Sequence, residues 1–265
     1  ALPICFEVFV DCDQNDEIGE LASSFKSMVE RINRLVQEVY KADINIKSLE
    51  LKRKEAELHA LHSQINPHFL FNTMESIRMN LLKNGETIAS EVIKNFAMLL
   101  RKSINWADDN ITVKKELELV EAYLKIQKFR YKDKLEYEIK CAPQLSEYII
   151  PKFSIQPLAE NAIYHGIELK EGVGRVVIDC RDFGEDIRIN ISDNGIRMSE
   201  EKETELNKLL GENHEVPEDP EDDAMDTRKS IGIQNVNQRL KMNFGTKYGL
   251  KIKSLNNIGT NVEML

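Results

Sequence analysis

The sequence predicts a multidomain protein, helical in its first half and α+β in its second. Three observations carry this reading. Apolar residues recur at alternating steps of three and four for over four heptads near the N-terminus, the period of a coiled-coil helix. Further helical stretches follow as far as residue 131. Beyond that point the pattern changes to strand alternation, tight turns and hairpin spacing, which with interspersed helices implies an α+β layer rather than a doubly wound parallel sheet. A chain of 265 residues suits two compact units with connectors.

The seam runs through Ile18, Leu21, Phe25, Met28, Ile32, Leu35, Val39, Ala42, Ile46 and Leu49, with polar residues between. Asp16 and Glu17 put negative charge at its start, where the helix dipole favours it. One amphipathic helix packed on its own chain would show the same stripe. A seam this long, with nothing nearby to cover it, favours a parallel dimeric coiled coil. After Leu49 the phase is lost: Arg53 falls where the next apolar residue is due, and a new stripe starts at Leu58, Leu61, Ile65 and Phe69. Such a shift alters local winding. It marks either a point for passing rotation or the end of the coil.

Residues 56–82 read as one helix interrupted and kinked by Pro67. Asn84-Gly85 is a stop signal. A second helix is expected over 87–106, with Ile88, Val92, Phe96, Leu99, Leu100 and Ile104 on one side, then a break at Asp108-Asp109-Asn110 and a further helix over 113–131. Two antiparallel helices per chain, doubled in a dimer, make a four-helix bundle. In the second half, 134–141, 174–181 and 186–192 read as strands, 250–255 and 261–265 as a closing pair, and 150–166 as a helix started by proline. The polar stretch 199–229, with an acidic run at 215–223, reads as a mobile loop.

Four short stretches bear chemically capable residues. His68 lies after Pro67 on an apolar helix, with Asn72 one turn away on the same face. A neutral imidazole is a good nucleophile near pH 7. His59 and His62 sit three residues apart, but no carboxylate or cysteine completes a metal set. A helix presenting Glu160, Asn161 and His165 can place a side-chain oxygen on Mg²⁺ and polar groups near phosphates. Asp193-Asn194-Gly195 follows a strand. It can form a simple β-turn, or its carboxylate can accept from an exocyclic amine while Gly195 lets a flat ligand approach. Ser230-Ile231-Gly232 leads towards Asn235 and a helix, where a glycine at the helix start could hold phosphate oxygens.

In this order the four stretches resemble the sensor histidine kinases of the LytS/YesM type. The resemblance rests on QINPHFLFN, flanked by LHSQ and TMESI, on LLRKSI and ELELVEAYLKIQKFRY, and on IIPKFSIQPLAENAIYHG, which is similar to that family's N box. Asp193-Asn194-Gly195 resembles its first glycine box, the stretch around Gly232 its second, and Gly259-Thr260 the end of its ATP-binding domain. Upstream, DEIGEL at 16–21 resembles the second half of a HAMP relay domain.

The resemblance implies an organisation: 1–16 a HAMP connector remnant, 17–57 the second HAMP helix and signalling coiled coil, 58–132 the dimerisation and phosphotransfer helices. Residues 133–265 would form a GHKL-type ATP-binding α/β sandwich with a lid at about 199–231. His68 would take the γ-phosphoryl group of Mg-ATP and pass it to an aspartate of a response regulator. Asn161 would coordinate Mg²⁺ and Asp193 would read adenine. His165, Gly195, Gly232 and Asn235 would complete the nucleotide site. Asn72 and Glu160 are candidates to orient the imidazole or act as base.

The implied partners are a second copy of the chain and a response regulator. The implied setting is the cytoplasmic portion of a membrane sensor whose spanning segments are absent from this sequence. No apolar run approaches the roughly 20 residues of a bilayer span, and the N-terminus lacks the basic region of a signal peptide. A net charge of −9 and a single Trp argue against a nucleic-acid partner. The four cysteines, without metal-type spacing, read as free thiols of a reducing compartment. Three departures stand against the family pattern: Arg197 where a second glycine is usual, Ser230 where a glycine opens the second box, and Tyr164 where lysine is common. They keep a second reading in play, a degenerate kinase acting as a conformational scaffold.

Overall fold

A computed structural model describes residues 17–63, 67–104, 109–196, 198–211, 225–255 and 259–265. The expected HAMP remnant at 1–16, Arg197 and the acidic run lie outside these residues, as do the side chains of His59, His62 and Ser230. The chain divides into two compact units at the boundary between Asn66 and Pro67.

The first unit holds α1 (Glu17–Ser63), one helix of 47 residues and about 70 Å in length. Its expected seam is uncovered at Leu21, Phe25, Met28, Ile32, Leu35, Val39, Ile46 and Leu49, each exposed by more than two-fifths. Exposed pairs at i, i+4, Lys47 with Asp43 and Arg53 with Glu57, line the polar side.

In the second unit, α2 (Pro67–Lys83) and α3 (Thr87–Ile104) form a helical hairpin. The kink expected at Pro67 falls at the junction with residues 64–66, which lie outside the described residues. The expected stop at Asn84-Gly85 is a full C-cap. Gly85 takes a φ of 79°, its N–H reaches the Leu82 carbonyl, and the Glu86 N–H reaches that of Leu81. Phe69, Ile77, Ile88 and Phe96 leave an apolar face on the hairpin exposed.

A short strand missed by sequence periodicity, β1 (Asn110–Thr112), pairs antiparallel with β3 (Ile149–Pro151). Helix α4 (Val113–Tyr131) starts directly after β1, with Thr112 Oγ1 accepting from the Lys115 N–H. Residues 149–151 are thus strand where a helix is expected from 150. Helix α5 (Gln156–Asn161) begins later, with Pro157 in its first turn, and continues as a π-helical turn over Ala162–Ile167.

The sheet has the order β2-β4-β5-β7-β6. Strand β2 (Leu135–Cys141) runs parallel to β4 (Gly174–Phe183). The pairs of β4 with β5 (Asp186–Asp193), β5 with β7 (Gly259–Met264), and β7 with β6 (Leu250–Leu255) are antiparallel. Every second residue of β5, namely Ile187, Ile189, Ile191 and Asp193, is buried, so one face of the sheet makes the core and the other is wetter. Leu124, Leu135, Ile155, Leu158, Ile178 and Leu240 fill the space between this face and the helices. Cys141 and Cys180 face each other in register as free thiols; Cys5 and Cys12 are outside the described residues.

The reading of 199–229 as a loop is corrected in part. Residues Glu200–Gly211 form α6, with three glutamates in its first turn and Leu206 and Leu210 buried. The pair at i, i+4 supplies an anchor that the polar composition hides. Helix α7 (Met225–Phe244) also begins earlier than expected. Gly232 is the eighth residue of α7, not a helix start, and a Cβ there would meet open space. Its backbone N–H is in mid-helix, which removes the free donors on which the phosphate-cradle reading depended.

Candidate functional site

A cavity of about 250 Å³ opens in the sandwich between the sheet end, α5 with its π-helical turn, and α6. Its walls are largely aliphatic, with Leu158, Ile191, Leu206, Ile233, Ile252 and Val262. Three of the expected nucleotide residues line it: Asn161, His165 and Asp193.

Asp193 reaches the cavity because β5 alternates. Two-residue periodicity carries Ile187, Ile189 and Ile191 to the core, and Asp193 is the next inward position. It is 8% exposed. Burial raises its carboxyl to about 6, against hydrogen bonds from the Gly195 and Thr260 N–H groups and the Lys170 charge, which favour the ionised form. The Gly195 N–H donates to Oδ1 at 2.8 Å. Lys170 is held nearby by its Nζ donating to the Asn194 carbonyl at 2.6 Å. Asn194 in turn accepts from the Arg175 N–H through Oδ1, fixing the turn to β4.

Gly195 does not line the cavity. A Cβ on it would run into the backbone of Gly166, and a Cβ on Gly166 would stand 2.5 Å from Asp193 Oδ1. The two glycines let the π-helical turn close against the strand end, where the Ile196 N–H donates to the Gly166 carbonyl. Glycine is therefore required here for packing around the carboxylate.

Asn161 ends α5 and His165 sits within the π-helical turn. The His165 ring stands edge-on to Tyr164, with centroids 5.1 Å apart. Glu160 is exposed, accepts from Gln156 Nε2 at 2.8 Å, and lies outside the cavity lining. Asn235 is exposed on α7 and likewise outside it, as is Gly232. Sequence reasoning missed Lys202, Leu206 and Thr260, which do line the cavity. The spacing of Leu206 and Leu210 was the one available signal for α6.

His68 and Asn72 are brought together on α2. The Asn72 Nδ2 lies 3.2 Å from His68 Nε2 and 3.3 Å from Nδ1. One amide donor thus faces both ring nitrogens, and in a neutral imidazole one of the two can accept. The histidine is exposed and does not line the cavity. Among the described residues no group of three His, Cys, Asp or Glu could hold a metal by itself, and no helix is long and apolar enough to cross a membrane.

A helical hairpin presenting a histidine, joined to an α/β sandwich with a polar-floored cavity, carries the features of a kinase that acts on histidine. A family model described as histidine kinase matches residues 56–135, which include His68 and Asn72. The sensor histidine kinase YesM of Bacillus subtilis is 32% identical over 93% of this chain and 38% of its own length. The sensor histidine kinase YpdA of Escherichia coli is 34% identical over 89% of this chain and 38% of its own. The uncharacterised protein YwpD of B. subtilis is 32% identical over 79% and 69%. The chain belongs to the sensor histidine kinase family. It spans 38% of the length of YesM.

Proposed function

We propose that this chain is the phosphoacceptor and ATP-using part of a two-component sensor kinase, acting as a homodimer. The observation that carries the ATP reading is a single buried carboxylate, Asp193, at an aliphatic cavity bordered by Asn161 and His165. A carboxylate that accepts, set in an aliphatic cavity, suits a flat base whose exocyclic amine donates. Asn161 offers Mg²⁺ one oxygen, and an ion of this kind takes its remaining ligands from phosphates and water.

His68 is the acceptor in this reading. A lone pair on one imidazole nitrogen forms the N–P bond as the bond from the γ-phosphorus to the bridging oxygen breaks, and ADP leaves. Asn72 Nδ2 donates to the unprotonated nitrogen of the resting ring and gives up that bond when the nitrogen attacks. Transfer of this type demands alignment and charge neutralisation more than covalent work by the protein. Because His68 lies outside the cavity lining, the hairpin must move towards a cavity, its own or that of the second copy. The phosphoryl group then passes to an aspartate of a response regulator.

The test uses Mg²⁺ and γ-labelled ATP with wild type and His68→Gln. Label that is acid-labile and alkali-stable in wild type, and absent from the variant, is expected. Such label retained by the variant would remove His68 as acceptor.

A second reading, a scaffold with weak nucleotide binding, is favoured by Tyr164 at the usual lysine position and by the mid-helix placement of Gly232. A nucleotide titration separates the two, since a scaffold binds weakly or not at all.

A further inference from the structure

Glu116 lies in the first turn of α4, fully buried, and its carboxylate is spent on a distant turn. Oε2 accepts from the Phe153 N–H at 3.0 Å and Oε1 from the Ile155 N–H at 2.9 Å, and the Ser154 and Gln156 N–H groups beside them favour the ionised carboxylate. This turn leads directly into α5, the helix that ends in Asn161. Helix α5 has no cap of its own: Ile155 stands at the N-cap with no side-chain bond. Phe153 holds a φ of 58°, a conformation a bulky side chain rarely takes. A carboxylate in a nest of backbone donors is what keeps such a turn closed. The neighbouring Lys152, buried, donates from Nζ to the Lys102 carbonyl in the last turn of α3. The 152–156 turn is thus fastened on one side to the hairpin and on the other to α4.

We infer that Glu116 is a positioning residue: it sets the start of α5, and through it the placement of Asn161 at the cavity. The inference rests on Asn161 holding Mg²⁺ as proposed above. Its consequence is specific. Loss of the carboxylate shifts Asn161 while the floor of the cavity, built on β5 and the Gly166–Gly195 contact, stays in place.

The experiment is calorimetric titration of ADP with Mg²⁺ and with EDTA, on wild type, Asn161→Ala and Glu116→Gln. In wild type, Mg²⁺ should tighten ADP binding, and N161A should abolish that gain. E116Q should lose at least tenfold of the gain while its affinity in EDTA stays within about threefold of wild type. A full Mg²⁺ gain in E116Q overturns the inference, as does an equal loss with and without Mg²⁺, which would mark a merely structural role. Absence of a gain in wild type, or its survival in N161A, overturns the Asn161 assignment and the inference with it. If E116Q does not fold, Glu116→Asp replaces it: the shorter side chain keeps the charge but cannot reach both the Phe153 and Ile155 N–H groups, so a partial loss of the Mg²⁺ gain is expected and an unchanged gain is disproof.

Discussion

Asp193 stands where the alternation of β5 would put another aliphatic side chain. Its carboxyl, raised to about 6 by burial, binds its proton more tightly in the folded than in the unfolded chain. Between pH 4 and 6 the folded state therefore holds more protons, and stability falls as pH rises through that window, then levels off. The full difference corresponds to about 3 kcal/mol. Asp193→Asn removes this titration, so in urea unfolding the stability difference between wild type and D193N should change between pH 4 and 6 and stay constant above 7. The same variant should bind ADP at least tenfold more weakly. The amide oxygen would take the Gly195 and Thr260 N–H groups, leaving its NH₂ to face the amine of the base, donor against donor. Unchanged affinity in D193N would remove it as the adenine reader.

At the scale of elements, α6 is the clearest case of a segment whose sequence looked like loop. It lies against β6, the edge strand, and its side chains satisfy that edge. Asn207 Nδ2 donates to the Ile252 carbonyl at 2.8 Å, and Asn207 Oδ1 accepts from the Ile252 N–H at 3.0 Å. Glu203 accepts from the Ser254 N–H, and Asn237 of α7 from the Leu250 N–H. An edge strand with its polar groups occupied cannot pair with another chain. The first half of the expected lid is thus a docked cavity wall, carrying Lys202 and Leu206. Asn207→Ala should cost about 2 kcal/mol from its two hydrogen bonds to β6 at about 1 kcal/mol each, besides the local bond to the Glu203 carbonyl. It should also speed hydrogen exchange at the Ile252 amide. A loss below about 0.5 kcal/mol with exchange unchanged would show that Leu206 and Leu210 alone hold the helix.

For the whole molecule, the question is what covers α1. Eight large apolar side chains along the seam of α1 are exposed, an arrangement water disfavours unless a second helix packs against it. A second copy in parallel supplies the same seam in the same register. Replacing Leu35 and Val39 together with Glu puts charge into two successive seam positions. Sedimentation should then show a shift from dimer towards monomer at micromolar concentration. A dimer that survives would place its main contact on the exposed face of α2 and α3, around Phe69, Ile88 and Phe96.

Element type was legible wherever one period dominates. The 113–131 helix, the Asn84-Gly85 stop and the β4–β5 hairpin stand as the alternation and turn residues require, since local periodicity selects helix or strand before tertiary packing acts. So was the pairing of His68 with Asn72, a consequence of i, i+4 spacing on one helix. Tertiary structure alone decided the rest. It made strand of 149–151 by pairing it with 110–112, made helix of α6 by anchoring two leucines and one asparagine, and drew Asn161, His165 and Asp193 to one cavity while leaving Glu160, Gly232 and Asn235 outside it. It also turned Glu116, one glutamate among many in a charged helix, into the fastening of α5. Contacts across 39 residues carry no local period. They exist only once the chain has closed on itself, because burial and backbone donors together make that carboxylate acceptable there.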